Sequence, residues 1–294
     1  MKYSSGGAFR RALEDRLRTI NIQSGAPLVR IRKMVTFDRF LARLLRYQPD
    51  QWVVKGGLGL QLRLGDRART TKDMDMLVVA QSQGIYPALR SAAEQDLGDW
   101  FTFEITQPAG RLRIDFGGTR YPIRSLLDGR GFENFHLDVG IGDPHIGSVD
   151  YLTTPAYLAF ADLEPTRVPC YPVTQQIAEK LHAYTRPRSS GEPSRVKDLV
   201  DILLLAELGE INGKGLLEAM QATFYSANTH TLPLNIPSPP QNWARPFRKM
   251  SVEVGLRETD LVHAFSAIQL FLDPILSGKI ASQRWDPIRW SWKQ

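Results

Sequence analysis

The stretch "VVKGGLGLQLRLGDRARTTKDMDMLVVA", residues 53–80, decides the fold. A short apolar run ends in Lys55-Gly56-Gly57, and two aspartates one residue apart, Asp73 and Asp75, open the next apolar run. Read as a strand over 73–79, the alternation sends both carboxylates to one face and Met74, Met76 and Val78 to the other. Like charges held that close repel unless something positive sits beside them. A pair of Mg²⁺ ions suits the arrangement, because Mg²⁺ takes carboxylates, waters and substrate phosphates. A bare D-x-D also describes a solvated acidic strand edge. The glycines bear on that choice: placed after a strand and before the short helix "LGLQLRL", they let the backbone turn tightly and aim N–H groups at an anion. A plain tight turn explains the glycines, but not the lysine or the acidic strand that follows. The spacing is neither a P-loop nor a dinucleotide fingerprint. Together the two features describe a site for a nucleoside triphosphate and metal.

The chain around this stretch has the balance of a folded globular protein. Its 294 residues are 43% hydrophobic and 23% charged, enough for a sizeable core in one large domain or two modest ones. One cysteine, Cys170, excludes a disulfide framework and a multi-cysteine metal site, which points to a reducing cytoplasm. No apolar run approaches the roughly 18–20 residues of a membrane span, and the N-terminus lacks a signal-peptide core. The net charge of +6 is unevenly spread. Residues 1–46 hold eleven lysines or arginines against three acids. Arg32, Arg39, Arg43 and Arg46 recur at helical spacing, which describes either a solvated helix face or a basic surface for phosphates.

Periodicity predicts helices over 8–20 and 27–47. "WVV", "MDMLVV", "FTFEI", "RLRIDF" and "NFHLDVGI" read as strands. From "TTPAYLAFADL" onward the chain reads as mostly helical, through "VTQQIAEKLHAYT", "RVKDLVDILLLAELG", "GKGLLEAMQATFYSA" and "TDLVHAFSAIQLFLDPIL". The expected organisation is α+β: an N-terminal pair of helices and a mixed-sheet core over 1–150, then a helical domain over 151–294. The polar loop 186–196 and the proline-rich connector 232–246 interrupt that second half.

The run K-G-G-x-x-x-x-L-R-x-G followed by R-x-T-x-D-x-D, filled by Lys55 to Gly65 and Arg69 to Asp75, resembles the nucleotidyltransferase fold. In detail it resembles the AbiEii/MenT toxins of type IV toxin–antitoxin and abortive-infection systems, over about residues 45–210. "ENFHLDVGIGD" is similar to that family's third-carboxylate strand and implies that Asp138 joins Asp73 and Asp75 as a metal ligand. Asp115, in "RLRIDF", competes for that role and fits the pattern less well. "AEKLHA" matches the lysine motif at Lys180, and "RVKDLVDILLL" matches the last motif, with Lys197, Asp198 and Asp201. Taken alone, Asp198 and Asp201 share a helix face, and a first helical turn favours acids in any case. The resemblance adds them and Lys180 to the catalytic set, and gives Lys55, Gly56, Gly57, Arg69, Thr71, Lys180 and Lys197 to the nucleotide. One departure stands out: many nucleotidyltransferases carry Gly-Ser where this chain has Gly56-Gly57, so no hydroxyl is available there. His136 and His182 belong to no metal-binding cluster and read as structural residues.

The resemblance implies a cytoplasmic, Mg²⁺-dependent toxin that transfers a nucleoside monophosphate from a triphosphate to the 3′ end of tRNA, neutralised by a separately encoded antitoxin. A basic N-terminal region suits an RNA acceptor, and Arg30, Arg32, Arg39 and Arg43, with Trp290 and Lys293, are candidates to touch it. The three tryptophans near the C-terminus read more readily as packing residues. A phosphotransferase, or an antibiotic-type enzyme acting on small molecules, would use the same triphosphate site. Cationic small substrates call for an acidic acceptor cleft, which the arginine-rich N-terminus does not suggest.

Overall fold

The computed structural model describes residues 2–79, 84–108, 118–142, 147–187, 195–280 and 282–294. Two compact units divide the chain, the first formed by residues 1–63, 70–142 and 150–170, the second by 64–69, 143–149 and 171–294. Residues 151–170, expected in the helical half, thus belong to the first unit. No helix among the described residues is long and apolar enough to cross a membrane.

The first unit holds helices α1 (Gly6–Ser24), α2 (Leu28–Tyr47), α3 (Gly56–Leu64) and α4 (Ile85–Ala93). Its strands are β1 (Trp52–Lys55), β2 (Met74–Val78), β3 (Phe101–Ile105), β4 (Thr119–Leu127), β5 (Arg130–Ile141), β6 (Asp150–Thr153) and β7 (Arg167–Cys170). They form one mixed sheet in the order β3-β4-β5-β2-β1-β7-β6. β2 and β5 are parallel neighbours, with Met74 opposite Leu137 and Met76 opposite Val139. All four of those side chains are buried, which gives the central strands their apolar face. Phe37 and Phe40 of α2 meet Phe135 of β5 edge-on at 5.2 and 5.6 Å between ring centroids, fixing the helix to the sheet.

Two sequence readings change here. β4 is a strand beyond those read from the sequence, and Pro122 lies within it. Its neighbour β3 tolerates this: the Pro122 carbonyl still accepts from the Thr106 N–H at 3.0 Å. Residues 154–166, expected to begin the helical half, contain only a 3₁₀ turn, Ala159–Ala161, between β6 and β7. The segment "RLRIDF", with Asp115, lies outside the described residues, as does most of the loop 186–196.

The second unit contains α5 (Val173–Thr185), α6 (Val196–Ala206), α7 (Gly213–Ala227), α8 (Ala244–Glu253) and α9 (Leu261–Leu276). A small sheet, β8 (Ile211–Asn212), β9 (Arg284–Asp286) and β10 (Ser291–Lys293), completes it in the order β10-β9-β8. Caps mark the helix ends that the sequence had suggested. Asp260 accepts from the N–H groups of Val262 and His263 at the start of α9, and Asn228 closes α7 in the left-handed conformation. The C-terminal tryptophans pack inward: Trp285 is fully buried, Trp290 donates to the Ala267 carbonyl and Trp292 to the Phe271 carbonyl.

Candidate active site

The site in the first unit is a row of charges across four neighbouring strands. Lys55 of β1 lies opposite Asp75 of β2, Asp75 opposite Asp138 of β5, and Asp138 opposite Arg120 of β4. Residues opposite one another in a sheet project to the same face, so the order across the sheet is cation, carboxylate, carboxylate, cation. Asp73 lies one residue before β2, where the Thr71 hydroxyl donates to its carbonyl at 2.9 Å and holds the bend. Its carboxylate Oδ1 is 3.1 Å from Nδ1 of His136, two residues before Asp138 on the same strand face. Arg120 grips Asp138 in a two-pronged bond, with Nε and Nη2 donating at 2.7 and 2.6 Å, and the same Nη2 is 3.7 Å from Asp73. That bond, with the charges of Asp138, Asp73 and Asp75, holds the guanidinium pKa above the ordinary arginine value against the pull of partial burial.

Gly56 brings the backbone onto Asp75. It has φ +60°, and a Cβ there would lie 2.0 Å from the Asp75 carboxylate oxygen Oδ2. The Gly57 N–H donates to that same oxygen at 3.4 Å. The glycine pair therefore permits close approach to an anion, and the anion seen there is the chain's own carboxylate. Beside Asp73 and His136 opens a cavity of ≈ 550 Å³ whose walls include Lys33, Lys72, Arg124 and Val29.

Three carboxylates on one sheet face are the donors that Mg²⁺ prefers. Both oxygens of Asp138 are taken by Arg120, and among the described residues no group of three acidic, histidine or cysteine side chains is arranged as a ready metal cage. The donor chemistry fits the ion once Arg120 releases Asp138.

The charged cluster of the second unit is buried. Lys180 of α5 lies 2.8 Å from Asp201 and 3.3 Å from Asp198, both on α6. Arg69 donates two parallel bonds of 3.1 Å to Asp201, and Arg195 reaches Asp198 at 3.2 Å. Burial alone would lower the Lys180 pKa, but the charges of Asp201 and Asp198 raise it above normal. Burial would likewise raise Asp201, but Lys180 and Arg69 hold its carboxyl below the usual carboxylate range. Lys197, half-buried and beside Arg69, Lys180 and Arg195, moves the other way: burial first, then those cations, lowers it, with Asp198 opposing.

A family model described as the nucleotidyl transferase AbiEii toxin of type IV toxin–antitoxin systems matches residues 39–269. The chain belongs to the AbiEii family. Among solved structures, MenT4, a nucleotidyltransferase toxin of Mycobacterium tuberculosis H37Rv, is 17% identical at a TM-score of 0.53, covering 94% of this chain and 92% of that one. A nucleotidyltransferase-like antigenic protein of Paracoccidioides brasiliensis is 18% identical at a TM-score of 0.45, covering 76% of this chain and 92% of that one. At such identities the MenT4 likeness speaks to the fold, and the mixed sheet with flanking helices is that of the nucleotidyltransferase toxins. No curated protein matches the chain.

Within this AbiEii chain the arginines of α2 have structural partners. Thirteen of the helix's twenty residues are buried, so there is no solvated basic face. Arg43, 1% exposed, clasps Asp99 at 2.9 and 2.5 Å, and Arg39 pairs with Asp38 at 2.6 Å. Arg32 bonds Glu14 and the Phe132 carbonyl and covers the Phe132 ring, while Arg30 is 8% exposed. Buried arginines already paired in this way have little to offer an RNA phosphate. Sequence reasoning also passed over Arg120. Its signal is weak: the alternation in "TRYPIRSLL" is interrupted by Pro122.

Proposed function

We propose that the chain is a nucleotidyltransferase toxin that transfers a nucleoside monophosphate from a triphosphate to the 3′-terminal hydroxyl of tRNA. The observation that carries this reading is the in-register row Lys55–Asp75–Asp138–Arg120 with Asp73 at its margin, on a sheet built like those of the nucleotidyltransferase toxins. In the reaction the acceptor oxygen forms a bond to the α-phosphorus while the bond from that phosphorus to the bridging oxygen breaks, and pyrophosphate leaves. Asp73, Asp75 and Asp138 would hold Mg²⁺, which when bound neutralises charge on the attacking and leaving oxygens. Asp138 takes the hydroxyl proton. Lys55 and the N–H groups of Gly56 and Gly57 stabilise the leaving phosphates, since fixed cations and donors act most strongly where charge develops.

The cavity beside Asp73 and His136 supports an anionic acceptor chiefly through Lys72, since Lys33 and Arg124, which also line it, are paired with Glu133 and Glu104. Lys72 is exposed and has no ion-pair partner among the described residues. In this reading Thr71 acts by holding the bend that aims Asp73. Lys180, Arg69, Lys197, Asp198 and Asp201 keep the parts in nucleotide chemistry that the family resemblance gives them, with Lys180 kept charged by its two aspartates. A type IV antitoxin encoded separately completes the proposed system.

The test is direct. Protein, tRNA and Mg²⁺ are incubated with each α-labelled triphosphate in turn. Label on the RNA with matching pyrophosphate release is the expected result; label on no RNA from any triphosphate rejects the proposal. A γ-label retained on the acceptor instead would identify a phosphotransferase.

A further inference from the structure

We propose that Arg120 is a resident counter-ion that occupies Asp138 until a metal-bound triphosphate arrives, and then passes to the triphosphate. The inference rests on reading Asp73, Asp75 and Asp138 as metal donors, and goes beyond it in giving the site a preference for how metal enters.

The order of charges in the row carries the argument. Asp75 and Asp138 lie opposite each other on adjacent strands, where two bare carboxylates repel. Each has a partner on its outer side: the Gly57 N–H reaches Asp75, and the Arg120 fork takes both oxygens of Asp138. The fork also reaches toward Asp73 at 3.7 Å, so one guanidinium sits against two of the three donors. A metal ion bound by Asp138 competes with it for the carboxylate.

The pair is built asymmetrically. The Asp138 side chain is 8% exposed, fixed in the middle of the sheet, whereas the Arg120 side chain is 38% exposed. The arginine is the end that can move. A guanidinium presents the same two-pronged donor edge to a phosphate as to a carboxylate, so a phosphate can replace Asp138 as its partner. A free divalent cation brings no such partner and must leave the guanidinium beside it as a like charge. A cation carried on a triphosphate brings the replacement anion with it. The site therefore resists free metal and accepts the metal–triphosphate complex, which couples metal loading to substrate arrival.

Binding of Mn²⁺, followed by its electron paramagnetic resonance signal without nucleotide, separates the possibilities. R120A and R120Q are expected to bind Mn²⁺ roughly tenfold more tightly than the wild type, through loss of a neighbouring positive charge. A non-hydrolysable triphosphate analogue titrated in EDTA should bind both variants more weakly by a similar factor. Mn²⁺ should raise the thermal midpoint of the variants more than that of the wild type, because it replaces the missing counter-ion of Asp138. Equal or weaker Mn²⁺ binding by both variants overturns the role of Arg120 while leaving the metal reading in place. Absence of Mn²⁺ binding in wild type and variants alike overturns both. Variants that stay unfolded even with Mn²⁺ also count against the proposal, since exchange requires that metal can stand in for the arginine.

Discussion

The molecule keeps charges in two different ways. On the sheet of the first unit, Asp73 and Arg120 are 33% and 38% exposed, and the partners available to each are several: Arg120 touches Asp138 and approaches Asp73, and Asp73 also meets His136. Between α5 and α6 of the second unit, Asp198 and Asp201 are 2% and 1% exposed and are locked to Lys180, Arg69 and Arg195. A half-solvated cluster loses little when a partner leaves, because water and ions replace it. A buried cluster loses much, because nothing replaces the missing charge. The first arrangement can exchange its own partners for a ligand; the second holds Lys180 charged and Asp201 ionised. Substitutions should therefore separate them, the sheet cluster answering in activity with little loss of stability and the helix cluster in stability as well as activity.

Asp75→Asn should give the largest effect. Nucleotidyl transfer should fall by at least about 10³-fold, roughly 4 kcal/mol on the barrier, with the unfolding midpoint nearly unmoved. A variant that unfolds readily would show that the row is structural, and the comparison would break. Asp201→Ala comes next: with Lys180 and Arg69 left facing each other in the interior, urea unfolding should register a loss of about 3 kcal/mol. A loss within the range of surface pairs would mean that the network is solvated.

Gly56→Ala tests the join between backbone and carboxylate. The added Cβ meets Asp75 at 2.0 Å from a left-handed residue, so stability should drop by about 1–3 kcal/mol and Asp75 should shift. Activity should fall with it, whereas Gly65→Ala, also at positive φ but with open space around it, should cost stability alone. The smallest effect concerns pH. Asp201 titrates below its unfolded value, so its stabilisation is present above the unfolded pKa and is lost as pH falls through the folded one. In Asp201→Asn the acid limb of the stability curve, below about pH 4, should be flatter than in the wild type.

Much of this is legible in the amino-acid sequence. The alternation of Met74, Asp75 and Met76 gives the face of β2, and "GKGLLEAMQATFYSA" matches α7 from end to end. What escaped notice was what depends on partners distant in sequence. Arg120 becomes meaningful only once β4 pairs with β5 and sets it opposite Asp138. Arg39 and Arg43 look like a basic stripe because periodicity shows that they share a face, but not that Asp38 and Asp99 meet them there. The strands β6 and β7 are four residues each and flank an apolar stretch that reads as helical, so only sheet pairing reveals them. Local pattern specifies the elements; the charges that face each other across them come from the tertiary fold.

The most direct test is a crystal of the protein soaked with Mn²⁺ and a non-hydrolysable triphosphate, examined by anomalous scattering. The expected result is a Mn²⁺ peak held by Asp73, Asp75 and Asp138, with the triphosphate against Lys55 and the Gly56–Gly57 turn and the Arg120 fork moved from Asp138 to a phosphate oxygen. Metal and triphosphate bound elsewhere, with Arg120 still closed on Asp138, would contradict the account.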